Sequence, residues 1–131
     1  MLGKSLHSKV RDVMRMDNVP LCAPEDSISS AVMAMTSSRL GLVVVHTDQK
    51  VLGIFTDGDL RRALLSGTSV MEKPVSDYMT PDPVCVSAEA LIKDAESLMR
   101  EHKVRALVVI SARETERETI CGILEIFSGG Q

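Results

Sequence analysis

A chain of 131 residues, 44% hydrophobic and 25% charged with a net charge of −3, fits one compact soluble domain able to bury roughly two-thirds of its unfolded surface. Aromatic residues make up only 2%, so bases have almost nothing to stack on, and the acidic balance lacks the basic face that nucleic-acid binding needs. No apolar run approaches the ~20 residues of a membrane span and no secretory leader opens the chain, so no membrane partner and a cytoplasmic location are expected.

Taken in order, Val10-Arg11-Asp12-Val13-Met14 leads to a short apolar strand at Pro20-Leu21-Cys22-Ala23. Pro24-Glu25-Asp26 then announces a helix over 27–38, with Ile28, Ala31, Val32 and Met35 at i, i+3, i+4 and i+7 on one face. The run from Leu42 to Val45 is continuously apolar and β-branched, which predicts a strand covered on both faces. A polar turn over 46–50 returns the chain through Gly53-Ile54-Phe55. Thr56-Asp57-Gly58-Asp59 opens a second helix through Leu60, Ala63 and Leu64 that stops at Gly67, and 68–74 reads as a linker.

The same order then recurs, about 65 residues on. Val75-Ser76-Asp77-Tyr78-Met79, Pro83-Val84-Cys85-Val86, a helix over about 90–102 with Leu91, Ala95, Leu98 and Met99 inward, Ala106-Leu107-Val108-Val109-Ile110 and Gly122-Ile123-Leu124 repeat the first half. Here the hairpin loop over 111–119 is longer and charged, as solvated loops are. Two like units of this size are expected to pack about a pseudo-twofold axis, with a small ligand held in the cleft between them.

Cys22, Cys85 and Cys121 are too few and too scattered for a disulfide framework or a zinc cluster. Cys22 and Cys85 occupy matching apolar strands, as buried small hydrophobes do. His7, His46 and His102 have no metal-ligand spacing, so no metal is expected.

This doubled β-α-β-β-α order, with its Gly53-Ile54-Phe55-Thr56 close, resembles a tandem pair of CBS (cystathionine-β-synthase) domains over essentially the whole chain. The implied fold is a mixed α/β one of the α+β type: residues 1–8 a lead-in from an absent N-terminal domain, 9–67 and 75–131 the two repeats, the second without its C-terminal helix. Residues 41–45 and 51–63 are more specifically similar to the regulatory tail of bacterial D-arabinose 5-phosphate isomerases of the Kdo pathway of lipopolysaccharide and capsule. In that family a sugar-isomerase domain precedes the CBS pair, so the chain reads as the regulatory part alone, not itself an enzyme and needing no cofactor.

The segment that can carry binding is Thr56-Asp57-Gly58-Asp59. A helix start offers unpaired N–H groups and positive dipole to a phosphate, with the Thr56 hydroxyl as an added donor, while Asp59 can accept from two sugar hydroxyls. In nucleotide-binding CBS domains the resemblance implies these parts for the matching Thr and Asp. The same Thr-x-x-Asp spacing is equally a plain capping box, and both can hold at once. Arg39 and Arg105, each placed at the end of a repeat's first long helix, and Arg61 and Arg62 are the candidate phosphate partners. Pro20 and Leu21, with Val19 and Leu42, would give apolar contact to a base, Asp57 sits inside the motif, and Thr80 is a further donor. Aligned on Gly122, Glu125 and Ser128 replace Thr56 and Asp59 in the second repeat, and a carboxylate there would repel phosphate. One competent site is therefore expected.

Two functions follow as alternatives. One is a regulatory module binding CMP-Kdo, the activated pathway product, or an adenine nucleotide such as AMP or ATP. The other is a structural module that only holds a homodimer together.

Overall fold

The computed structural model describes residues 7–111 and 119–125, and the expectations concerning the 111–119 loop and Ser128 lie wholly or largely outside them. It contains α1 (Val10–Val13), β1 (Leu21–Cys22), α2 (Ile28–Ser38), β2 (Leu42–Thr47), β3 (Lys50–Thr56), α3 (Asp57–Leu64), β4 (Thr80–Pro81), β5 (Cys85–Ser87), α4 (Ile92–His102), β6 (Ala106–Ile110) and β7 (Ile120–Glu125). The mixed α/β architecture is the expected one. No helix among the described residues is long and apolar enough to cross a membrane.

Two compact units form. One is Asn18–Pro83; the other comprises the described residues of Met1–Asp17 and Val84–Gln131. In the first, the sheet order is β1-β2-β3-β4, with β1 parallel to β2 and the remaining pairs antiparallel. In the second it is β5-β6-β7, again parallel and then antiparallel. The continuous apolarity of the central strands has the consequence expected of it: Val43, Val44 and Val45 are fully buried, as are Leu107, Val108 and Val109 to within 3%.

The compact units differ from the two repeats taken in chain order, because each unit holds the opening of the other repeat. Val10 is fully buried among Ile92, Met99, Leu107 and Leu124, and its amide donates to the Ala90 carbonyl at 2.9 Å. Val75 is fully buried among Ile28, Met35 and Phe55, and its amide donates to the Asp26 carbonyl at 2.7 Å. The stretch read as a linker is also packed. Residues Thr68–Glu72 form a 3-10 turn whose Val70 is 1% exposed in the same core. Apolar side chains at 70 and 75 account for this, since leaving them in water would forfeit roughly 1.5–3 kcal/mol each.

The helices begin and end for local reasons. The Ser27 hydroxyl accepts from the Ser30 amide at 3.1 Å at the start of α2, and Arg39 closes the helix in the left-handed region at φ 63. Lys103 does the same for α4 at φ 58. Arg39 therefore matches Lys103, and Arg105 falls past the helix end, directly before β6. This corrects the expected pairing of Arg39 with Arg105. The inward face of α4 is Ile92, Ala95 and Met99; Leu91 is the residue before the helix. The β2–β3 turn narrows to Asp48 and Gln49, both at positive φ, as a two-residue hairpin requires.

Each exchanged opening runs at a glycine against the second strand of its unit's antiparallel hairpin, β3 or β7. Thr80 pairs with Ile54 and Pro81 with Gly53; Arg15 bridges Ile123, with amide–carbonyl distances of 2.8 and 3.0 Å. A Cβ on Gly53 would stand 2.7 Å from the Thr80 carbonyl oxygen, and one on Gly122 2.3 Å from that of Arg15. Backbone cannot yield as a side chain does. Gly122→Ala is expected to destabilise by about 2 kcal/mol or more, lowering the melting midpoint by several degrees. Gly58→Ala, where the nearest atoms stand at 3.6 Å, is the control and should leave the midpoint near wild type.

Candidate functional site at the start of α3

Strand β3 ends where Thr56 pairs with Leu42, and the chain turns at once into α3. Thr56 is the N-cap: its hydroxyl accepts from the Asp59 amide at 3.2 Å, and the Asp59 carboxylate accepts from the Thr56 amide at 3.0 Å. The capping box is thus formed in full. Asp57 and Asp59 in the first turn, with Arg61 and Arg62 in the last, also complement the helix dipole.

Asp59 does more than cap. Its side chain is 3% exposed, and a buried carboxylate needs donors for its lone pairs. Besides the Thr56 amide, Oδ2 accepts from the Thr56 hydroxyl at 3.1 Å. The Thr80 hydroxyl donates to Oδ1 at 3.0 Å and Oδ2 at 3.2 Å, and Arg62 Nη2 pairs with Oδ1. Four of the residues nominated from sequence, Thr56, Asp59, Arg62 and Thr80, therefore meet at one carboxylate. The Arg62 side chain is 69% exposed while Asp59 is buried, so the pair is buried on one side only.

The remaining candidates fall elsewhere. Asp57 and Arg39 flank a shallow pocket of about 270 Å³ whose apolar floor includes Val32, Met35 and Leu60. Gly41 makes room there, since a Cβ on it would stand 2.8 Å from Asp57 Oδ2. The start of α3 is left open by Gly58: Arg62 Nη1 and Arg61 Nη2 lie 3.6 and 3.8 Å from where its Cβ would be. Pro20 is buried and Leu21 is 37% exposed on β1; Val44 donates to the Pro20 carbonyl at 2.9 Å. Arg105 is exposed in the other compact unit. There Glu125 is half-buried at the end of β7, opposite Ala106, and Arg15 occupies the place that Thr80 has beside β3.

Sequence reading did not foresee that Thr80 donates to Asp59 within one compact unit, nor the close approaches at Gly41 and Gly53. The recurrence of glycine at 53 and 122 was the available signal. Among the described residues no group of three His, Cys, Asp or Glu could hold a metal ion. Cys22 is 7% exposed, and burial, aided by the charge of Asp26, pushes its thiol up to about 11.

Asp59→Ala removes the side-chain half of the capping box and strips partners from Thr80 and Arg62. It is expected to cost about 1–3 kcal/mol in chemical denaturation, more than Thr56→Ala in an otherwise intact protein. At pH 8, Cys22 in the folded protein should react with iodoacetamide roughly two orders of magnitude more slowly than in denaturant, followed by mass spectrometry; equal rates would contradict a buried thiol.

The family model described as CBS domain matches twice, over residues 10–66 and 75–127. The chain is 42% identical over 113 residues to arabinose 5-phosphate isomerase KdsD of Pseudomonas aeruginosa, covering 85% of this chain and 35% of that protein. It is 37% identical over 111 residues to arabinose 5-phosphate isomerase GutQ of Salmonella typhi, covering 83% and 34%. It thus spans about a third of the length of these relatives. Among solved structures, CBSX2 in complex with AMP superposes with a TM-score of 0.75 at 29% identity, over 89% of each chain. With two matched copies, the sheets and helices described above and these relatives, the chain belongs to the CBS domain family as a tandem pair, related to the CBS region of arabinose 5-phosphate isomerases.

Proposed function

We propose that the chain is a regulatory module, and that the unit Asn18–Pro83 binds a ribonucleotide or nucleotide sugar at the β3–α3 junction. The observation that carries this reading is the arrangement around Gly58. A helix start without a side chain at its second position has the Thr56 hydroxyl and two guanidinium groups close by, which is what a phosphate needs. Arg61 has no ion-pair partner among the described residues, so its charge is available. Asp59, next along, is the acceptor for ribose hydroxyls. The solved relative carrying AMP supports an adenine nucleotide. The relatives named arabinose 5-phosphate isomerase support a sugar-isomerase domain as the module's partner, and with it CMP-Kdo as the nucleotide sugar to test.

A second role is compatible with the first. Met33 is 68% exposed and Leu65 88% exposed, apolar surface on and beside α2 and α3 that a homodimer would cover. A purely structural module would use that surface and ignore nucleotides.

Titration with AMP, ATP, CMP and CMP-Kdo distinguishes the readings. A ligand present at about 100 times its dissociation constant stabilises by roughly 2.7 kcal/mol, a rise of several degrees in the midpoint for a domain of this size. The expected result is such a rise with AMP or CMP-Kdo, reduced by Asp59→Asn and by Arg61→Gln, and no turnover of arabinose 5-phosphate. Absence of any rise at millimolar nucleotide would leave the structural role.

A further inference from the structure

An ionised carboxylate offers about four lone-pair positions, and Asp59 already receives four donors: the Thr56 amide and hydroxyl, Arg62 and Thr80. A sugar hydroxyl can reach it only by displacing one of them. The two donors from Thr56 are held beside the carboxylate by the bond its hydroxyl accepts from the Asp59 amide, so displacing them opens the capping box. Among the described residues Arg62 alone brings a positive charge to this carboxylate, which is 3% exposed, and removing it leaves the carboxylate's charge uncompensated. Thr80 differs from both. It is a neutral hydroxyl on an exposed residue of a two-residue edge strand, so exchanging it for another hydroxyl replaces like with like.

On the reading that this junction binds nucleotides, we propose that Thr80 is a competitor of the ligand and a cover over Asp59, not one of the ligand's donors. Ribose takes the positions on the carboxylate that Thr80 Oγ1 holds at 3.0 and 3.2 Å. Occupancy then frees Thr80 where β4 lies along β3, held otherwise by its pairing with Gly53 and Ile54 and by the Asp82 amide on the Leu52 carbonyl at 3.3 Å. Directly after this segment, at Pro83, the chain leaves this compact unit. A ligand that displaces Thr80 therefore acts on the stretch of backbone joining one unit to the next.

The sign of one substitution decides the matter. A donor to the ligand, once removed, weakens binding; a competitor, once removed, strengthens it. AMP is titrated calorimetrically into the whole chain as wild type, Thr80→Val, Thr80→Ala and Thr80→Ser, with melting curves confirming that each is folded. Thr80→Val and Thr80→Ala should bind AMP roughly ten- to a hundredfold more tightly, the value of one hydrogen bond to a charged group. Thr80→Ser keeps the hydroxyl and should bind as wild type does, and the gain should vanish for 2′,3′-dideoxy-AMP, which has no diol. Equal or weaker binding by Thr80→Val and Thr80→Ala, in a protein whose wild type binds AMP, overturns the competitor role and leaves the nucleotide site standing. A gain that persists with the dideoxy nucleotide also overturns it. If neither wild type nor the variants bind AMP at millimolar concentration, the nucleotide reading falls and the competitor role falls with it.

Discussion

A carboxylate removed from water must be met by donors, and the cost of leaving it unmet is large enough to shape what surrounds it. Asp59 imposes that constraint on the unit Asn18–Pro83. The end of β3 supplies an amide and a hydroxyl through Thr56, α3 supplies a guanidinium through Arg62, and β4 supplies a hydroxyl through Thr80. Strand, helix and edge strand are tied at one point. Thr80 comes from the segment that opens the second repeat in sequence, so the knot also depends on the exchange of openings that brings residues 75–81 into this unit. The chemistry expected of a ligand site and the architecture of the pair share one residue.

The two units solve the same packing problem with different side chains at the corresponding place. Both bury a valine from the exchanged opening, both lay that segment along a strand at a glycine, and both end their first long helix in the left-handed region. Where one has Thr56 and Thr80 around a carboxylate, the other has Glu125 and Arg15. The Arg15 side chain turns to the Asp17 carbonyl, at 3.2 Å. Repeated backbone with unrepeated polar groups is what a duplicated fold carrying one binding site would contain, and it supports placing recognition in Asn18–Pro83 alone.

Much of this was legible in the sequence because the signals were local. The period of Ile28, Ala31 and Met35 marks a helix face, the run of valines at 43–45 marks a doubly covered strand, and Thr56 with Asp59 marks a capped helix start; each depends on residues a few positions apart. What escaped were contacts between distant segments. Nothing near Thr80 says that its hydroxyl meets Asp59, 21 residues earlier in the chain. Nothing in the composition of 68–74 says that Val70 is core, because Gly67, Ser69 and Pro74 give the stretch the look of a loop. Matching Arg39 with Arg105 failed because both are arginines shortly before a central strand, whereas the helix bounds, the left-handed caps at Arg39 and Lys103 and the starts of β2 and β6 all set Arg39 against Lys103 and Gly41 against Arg105. The nominated site residues accordingly divide among the Asp59 knot, the pocket beside Asp57, strand β1 and the other unit.

The claim on which the rest turns is that one carboxylate holds the start of α3 and the edge strand together. Native-state hydrogen exchange in Asp59→Ala tests it at a distance from the substitution, through the Asp82 amide that donates to the Leu52 carbonyl. The account predicts that protection at Asp82 falls together with protection in the first turn of α3. Loss of protection confined to the helix, with Asp82 exchanging as in wild type, would contradict it and reduce Asp59 to a helix cap.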